Sequence, residues 1–256
     1  MYSRRPRRST EHGIALLSVL WVLLLLSALA EAATYVVRTN AIVTHRSLEV
    51  ARAQAAADAA IVHTISQLSD EQVDRHPPTN GSGLSWEFEG FTATISVSNE
   101  AGRLDANTAS SELLTAFLRS QDVDQEAAAT LLRALRATNW RSTQELRQIP
   151  GWKLSWTSAF TVYTGLPGVA PSDAASQTLA ALRWAQEHRL GDRDWMATNP
   201  TASGSNTQRS MLGEVFRIRA TVSGADHVSA SAEWVGRLTG DRHQPVLTML
   251  WEHDVT

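Results

Sequence analysis

The chain has 256 residues, of which 43% are apolar and 19% charged, and its formal net charge is −3. That length accommodates one large domain or two modest ones, and the composition is neither collagen-like nor that of a disordered chain. With no cysteine, a disulfide framework, a thiol nucleophile and a thiolate metal site are all excluded. The acidic balance argues against recruitment of nucleic acid by bulk charge.

The charge is unevenly spread. Arg4, Arg5, Arg7 and Arg8 stand against Glu11 alone in residues 1–13, and residues 14–30 then carry no charge until Glu31. A run of that length lies near the short limit for a membrane-spanning helix, and arginines before it predict a cytoplasmic N-terminus with an exported body. Two readings compete. A secretory signal would be cut after the small-x-small triplet Ala28-Leu29-Ala30, leaving a mature chain that begins near Glu31. A retained anchor would instead continue into a long helix. Gly13 at the junction of leader and apolar run, the length of that run, and the lack of Gly or Pro from Glu31 to Leu68 favour retention. The alanines from Ala51 to Ala60 promote helix, and Val50, Ala53, Ala57, Ile61, Ile65 and Leu68 fall on one stripe. Pro77, Pro78, Gly81 and Gly83 come next as breakers.

This segment resembles the leader of type IV pilin-like proteins, in which a short basic leader ends in Gly and precedes an apolar helix kept by the mature protein. The resemblance implies cleavage by a prepilin peptidase between Gly13 and Ile14, with N-methylation of Ile14. The family's usual Glu at the fifth mature position is replaced here by Ser18. In the family that Glu is held to meet the amino terminus of the subunit above it. A carboxylate in the bilayer is costly unless paired, so its loss suits a subunit with nothing above it, at the tip of a fibre.

Beyond the long helix, residues 84–98 alternate in polarity as strand, with Gly90 between two runs. From 99 to about 156 the pattern turns helical. Cap residues at 107–112 precede Leu113, Leu114, Phe117 and Leu118; a second helix is predicted over 127–135; and Ser142 with Glu145 forms a capping-box pattern before a short helix that stops at Pro150-Gly151. Residues 160–168 read as a short strand and turn, 172–188 as a helix, and 191–212 as a long polar loop. Strands over 215–222, 229–238 and 246–251, separated by turn residues, predict an antiparallel meander. Elements segregated in this order indicate α+β: a pilin-like long N-terminal helix packed on an antiparallel sheet and interrupted by a large helical insertion.

The whole layout resembles the K-type minor pseudopilin of the type II secretion pathway. The resemblance rests on the leader with Ser18, on residues 100–109 (EAGRLDANTA), on 162–169 (VYTGLPGV), on 215–219 (VFRIR) and on 246–252 (VLTMLWE). It implies a leader over 1–13, an anchor over 14–30, a pilin-like helix and first strands over 31–98, an insertion over 99–212 and closing strands over 213–256. It further implies a non-enzymatic subunit of the bacterial inner membrane, single-pass, with its body in the periplasm. Expected partners are the I- and J-type minor pseudopilins, the major pseudopilin, the prepilin peptidase and exported proteins. A type IV pilus minor pilin shares the leader and stands as an alternative.

Other chemistries find less support. Pieces of the helical block, Asn107-Thr-Ala and 146–151, resemble helix-hairpin-helix modules of DNA-binding or DNA-uptake proteins, but residues 100–153 hold as many acidic as basic side chains, whereas phosphate binding draws on an excess of positive charge. The eight histidines form no zinc-protease pair, and no nucleophile elbow or phosphate loop is present. His253-Asp254 reads as a solvated terminus. Asp192, Asp194 and Asn199 offer hard oxygen ligands in a polar loop, and members of the resembled family bind calcium; Arg193 interrupts them and EF-hand spacing is lacking. Of the nine tryptophans, those in or near the insertion (Trp140, Trp152, Trp156, Trp184 and Trp195) are expected to be mostly core.

Overall fold

The computed structural model describes residues 11–70, 76–188, 190, 211–224, 228–241 and 243–255. The chain divides into two compact units, Met1–Arg52 and Ala53–Thr256, and one helix, α1 (Glu11–Leu68), runs from the first into the second.

In the first unit, every large apolar side chain from Leu16 to Val43 is more than half exposed. Three hydroxyls on this stretch and just beyond it bond back to the helix itself. Thr34, Thr39 and Ser47 donate their hydroxyls to the carbonyls of Ala30, Tyr35 and Val43 at 2.8–2.9 Å, which lets a hydroxyl sit in apolar surroundings without an unmet bond.

The second unit is built on a five-stranded antiparallel sheet of β1 (Asn80–Phe88), β2 (Phe91–Asn99), β5 (Val215–Ser223), β6 (Ser229–Leu238) and β7 (Val246–Val255), in the order β1-β2-β5-β6-β7. Glu89 and Gly90, with φ of 48° and 83°, make the two-residue turn that joins β1 to β2; both central residues of such a turn need positive φ, which explains the Gly. β5, β6 and β7 form the expected meander, and β7 continues past Trp251 to Val255.

One face of the sheet packs on α1. Ala53, Ala56, Ala57, Ala60, Ile61 and Leu68 are buried against Ala93, Ile95, Val97, Phe216, Ile218, Ala220, Val222, Ala230, Ala232 and Trp234. Alanine on both sides brings helix and strands close, and the strand residues alternate with polar neighbours as a half-buried sheet requires.

Residues 100–214 lie between β2 and β5, two strands that are direct neighbours, with Asn99 opposite Phe216. This segment has its own core. It comprises β3 (Leu104–Asp105), α2 (Ser111–Ser120), α3 (Gln125–Arg136), β4 (Phe160–Thr161), α4 (Ser176–Glu187) and several 3₁₀ turns. Leu113, Leu114, Phe117, Leu118, Leu131, Leu135, Leu146, Trp156 and Phe160 are buried together, and Phe117, Trp152, Trp156 and Phe160 meet edge to face. Trp140, Trp152 and Trp184 pack partly buried against this core.

The helix starts follow their caps. Ser110 accepts from the Leu113 N–H and Asp124 from the Ala127 N–H, as N-cap residues do. Two expectations are corrected. The Ser142/Glu145 pattern opens a 3₁₀ turn, Glu145–Gln148, with its caps displaced: Ser142 accepts from the Gln144 N–H and Glu145 from the Arg141 N–H. The helix predicted over 172–188 begins at Ser176, because Pro171–Asp173 is a separate 3₁₀ turn.

Candidate assembly surfaces and the clasp behind them

Gly13, Ile14 and Ser18 all lie on the continuous α1 helix, and Ser18 is exposed. By length and composition α1 is the one helix among the described residues able to cross a membrane. The exposed apolar stretch of the first unit is therefore the first candidate surface.

In the second unit the body and the inserted segment are held by a buried ion cluster. In β5, Phe216, Ile218, Ala220 and Val222 face α1, while Arg217 and Arg219 project to the opposite side. Glu100, in the 3₁₀ turn Glu100–Gly102 that opens the inserted segment, is fully buried. Arg217 grips it with two hydrogen bonds, Nε to Oε1 at 2.8 Å and Nη2 to Oε2 at 3.1 Å. Arg103 approaches the same carboxylate at 3.1 Å, and the Thr161 hydroxyl of β4 donates to it. Glu233 of β6 receives Arg217 and Arg219. A bidentate guanidinium–carboxylate pair fixes orientation as well as charge.

Burial opposes ionisation of Glu100, but the charges of Arg217 and Arg103 and the bonds from Arg217 and Thr161 outweigh it, holding the carboxyl below its ordinary value of 4.5. Burial likewise opposes the charge on Arg217, and Glu100 and Glu233 reverse that, so its affinity for the proton is raised. For a carboxyl with a depressed folded value, stabilisation is present above the unfolded value and is lost as pH falls through the folded one. Urea unfolding of the full chain between pH 7 and pH 3 is expected to show stability falling below about pH 4.5, and a Glu100→Gln variant to show a shallower fall from a lower start.

A second polar knot lies beside the clasp. Asp105 is buried and accepts from the main-chain N–H groups of Asn107, Thr108, Thr164 and Gly165 and from the Thr164 hydroxyl, at 2.9–3.2 Å. Thr108 and Ser110 donate to the carbonyls of Leu166 and Pro167. The segments 100–109, 162–169 and 215–219, far apart in sequence, thus converge. Asn107 is spent on Trp140 through two hydrogen bonds, and Arg136 on the carbonyls of Asn107 and Ala109.

The end of β7 is exposed, as expected of His253-Asp254, but it is not loose. His253 Nε2 lies 2.8 Å from Asp58 Oδ1, and Trp251 Nε1 donates to the same oxygen at 3.0 Å, so β7 is tied to α1. Glu100, Asp105, Arg217, Glu233 and Asp58 had no assigned role in the sequence. The outward phase of Arg217 and Arg219 in an alternating strand was the one signal available for any of them.

A polar cleft of about 340 Å³ lies along the clasp, lined among others by Ser96, Asn99, Arg103, Asp173, Arg217 and Arg219. Among the described residues, no histidine lines it. Asp192, Asp194, Asn199 and Trp195 lie outside the described residues. Among the described residues, no group of three or more His, Asp and Glu is placed to hold a metal ion.

No family model matches the sequence, and no curated protein does. The fold does have a counterpart. A chain in the crystal structure of the GspK–GspI–GspJ complex from the type 2 secretion system of enterotoxigenic Escherichia coli superposes with a TM-score of 0.58 at 11% identity. The match covers 82% of the present chain and 99% of that one. The long N-terminal helix, the five-stranded antiparallel sheet and the helical segments therefore make up a pilin-like α+β fold, the class expected from the sequence.

Proposed function

We propose that this protein is a non-enzymatic minor pseudopilin of the K type, which caps a periplasmic pseudopilus and primes its assembly for type II protein secretion. Residues 1–13 serve as a leader cut between Gly13 and Ile14, residues 14–30 as the inner-membrane anchor, and 99–212 as an insertion in a pilin-like body formed by 31–98 and 213–256. The carrying observation is the placement of a helical segment with its own core between two neighbouring strands of a sheet that packs on α1. The same fold occurs in a chain of the GspK–GspI–GspJ complex, which supports I- and J-type partners.

Before assembly, the exposed apolar face from Leu16 to Val43 meets lipid; in the fibre it meets other subunits' helices. Ser18 leaves no carboxylate to be neutralised from above. The clasp holds the insertion firmly to the sheet, so that the bulky head moves with the shaft beneath it. Deleting the gene in a secreting strain is expected to leave exported proteins in the periplasm. The wild-type chain should restore export, whereas a Gly13→Asp variant, which blocks processing, should not. Export that persists without the gene would refute the assignment.

A further inference from the structure

The sheet ends in two edge strands, β1 and β7. β7 pairs with β6 from Leu238↔Val246 to Ala230↔Val255, and its register is regular from Leu250 onward. No strand covers its outer side among the described residues. Alternate main-chain N–H and C=O groups on that side therefore face outward, as on any open edge. Val246–Val255 (VLTMLWEHDV) contains no Pro, Gly, Lys or Arg, and its one irregularity, opposite Val235 and Gly236, lies before Leu250, so the edge from Leu250 to Val255 is guarded only by the acids Glu252 and Asp254. Leu247 and Trp251 are 43% and 39% exposed. The bonds of Trp251 and His253 to Asp58 hold the strand in place before any partner arrives. β1 is a poorer template, with two glycines, Gly81 and Gly83, at its register break.

Charge narrows the occupant. The register sets Glu252 directly opposite Glu233, a like-charge pairing that destabilises a sheet. Arg217 and Arg219 are engaged by Glu233. Glu252 has Gln144 Nε2 at 3.4 Å, and among the described residues no Lys or Arg forms an ion pair with Glu252 or Asp254. A Lys or Arg on an added strand beyond β7 would sit beside Glu252 and Asp254. A second copy of this chain cannot supply it from its own edges, since neither Asn80–Phe88 nor Val246–Val255 contains a basic residue other than His253.

We propose that the outer edge of β7 receives an extended strand from a different pilin-fold subunit, bearing a Lys or Arg that faces Glu252 and Asp254. Main-chain bonds supply the attachment and the charge pair sets partner and register. The partner's class rests on the pseudopilin reading; the open edge and its unbalanced acids do not.

The test uses the full chain in its native membrane, with the photo-crosslinker benzoylphenylalanine placed singly at position 247 or, as reference, at position 21 on the apolar helix. The expected result is an adduct from position 247 to a strand of a pilin-fold protein other than this chain, close to a Lys or Arg. A Glu252→Lys/Asp254→Lys variant should reduce that adduct about tenfold, while circular dichroism shows an unchanged melt. The proposal is overturned if position 247 yields no adduct, or one to a second copy, or one indifferent to the charge reversal, while position 21 still captures pilin-fold partners. Silence from both positions would remove the pseudopilin reading along with it.

Discussion

Replacing Arg217 by Ala is expected to destabilise the Ala53–Thr256 unit by about 3–5 kcal/mol, the usual cost of stranding a buried charge by removing its partner. Glu100 would keep Arg103 and Thr161, but it would lose both hydrogen bonds from Arg217, and Glu233 would lose its buried contact to the same guanidinium. Arg219 provides the contrast within the cluster. It also pairs with Glu233, yet its side chain is 59% exposed, where solvent screening limits an ion pair to roughly 0–1 kcal/mol. Urea unfolding of the detergent-solubilised chain, monitored by tryptophan fluorescence, separates the two variants. Equal losses for Arg217→Ala and Arg219→Ala would mean that burial does not set the strength of the clasp.

The second large effect is expected at Trp234. Its side chain is fully buried between the sheet and α1, and its Nε1 donates to the Thr248 hydroxyl of β7 at 3.0 Å. Trp234→Ala should cost about 3–5 kcal/mol through lost burial and the cavity left behind. Phe117 plays the equivalent part in the inserted core, where Trp156 and Phe160 meet its ring at centroid distances of 6.2 and 5.0 Å, and Phe117→Ala should cost a similar amount. Because the clasp joins the two cores, both substitutions are expected to lower the midpoint of one common transition. Two separate transitions in a calorimetric scan would show that the inserted segment folds and melts apart from the sheet.

The parts of the fold legible in the sequence were those with a repeating signal. The alanine-rich stripe of α1, the alternation in β2 and in β5 to β7, and the cap residues at 107–112 ahead of α2 each rest on several residues that agree. β3 and β4, of two residues each, are too short to show a period, and their pairing joins positions 104 and 160, which no local pattern reports. The same distance in sequence concealed the clasp. Glu100 lies in a segment quoted for its resemblance, but its partner Arg217 is 117 residues away. Asp58 and His253 are separated by 195 residues, so nothing local to the pair His253-Asp254 could report their contact. The short helix at 145 and the late start of α4 differ from expectation because a 3₁₀ turn and an α-helix share their cap chemistry and diverge only beyond the first turn.

The candidate membrane segment was legible for a simpler reason. An uncharged run behind four arginines is a property of composition that needs no fold to be read, and the fold contributes what composition cannot: α1 carries that run directly into a sheet core. The proposed function requires the apolar segment to stay attached to the head after export. The mass of the mature chain purified from membranes decides this. The account predicts an amino terminus at Ile14, N-methylated; a chain beginning near Glu31 would contradict it.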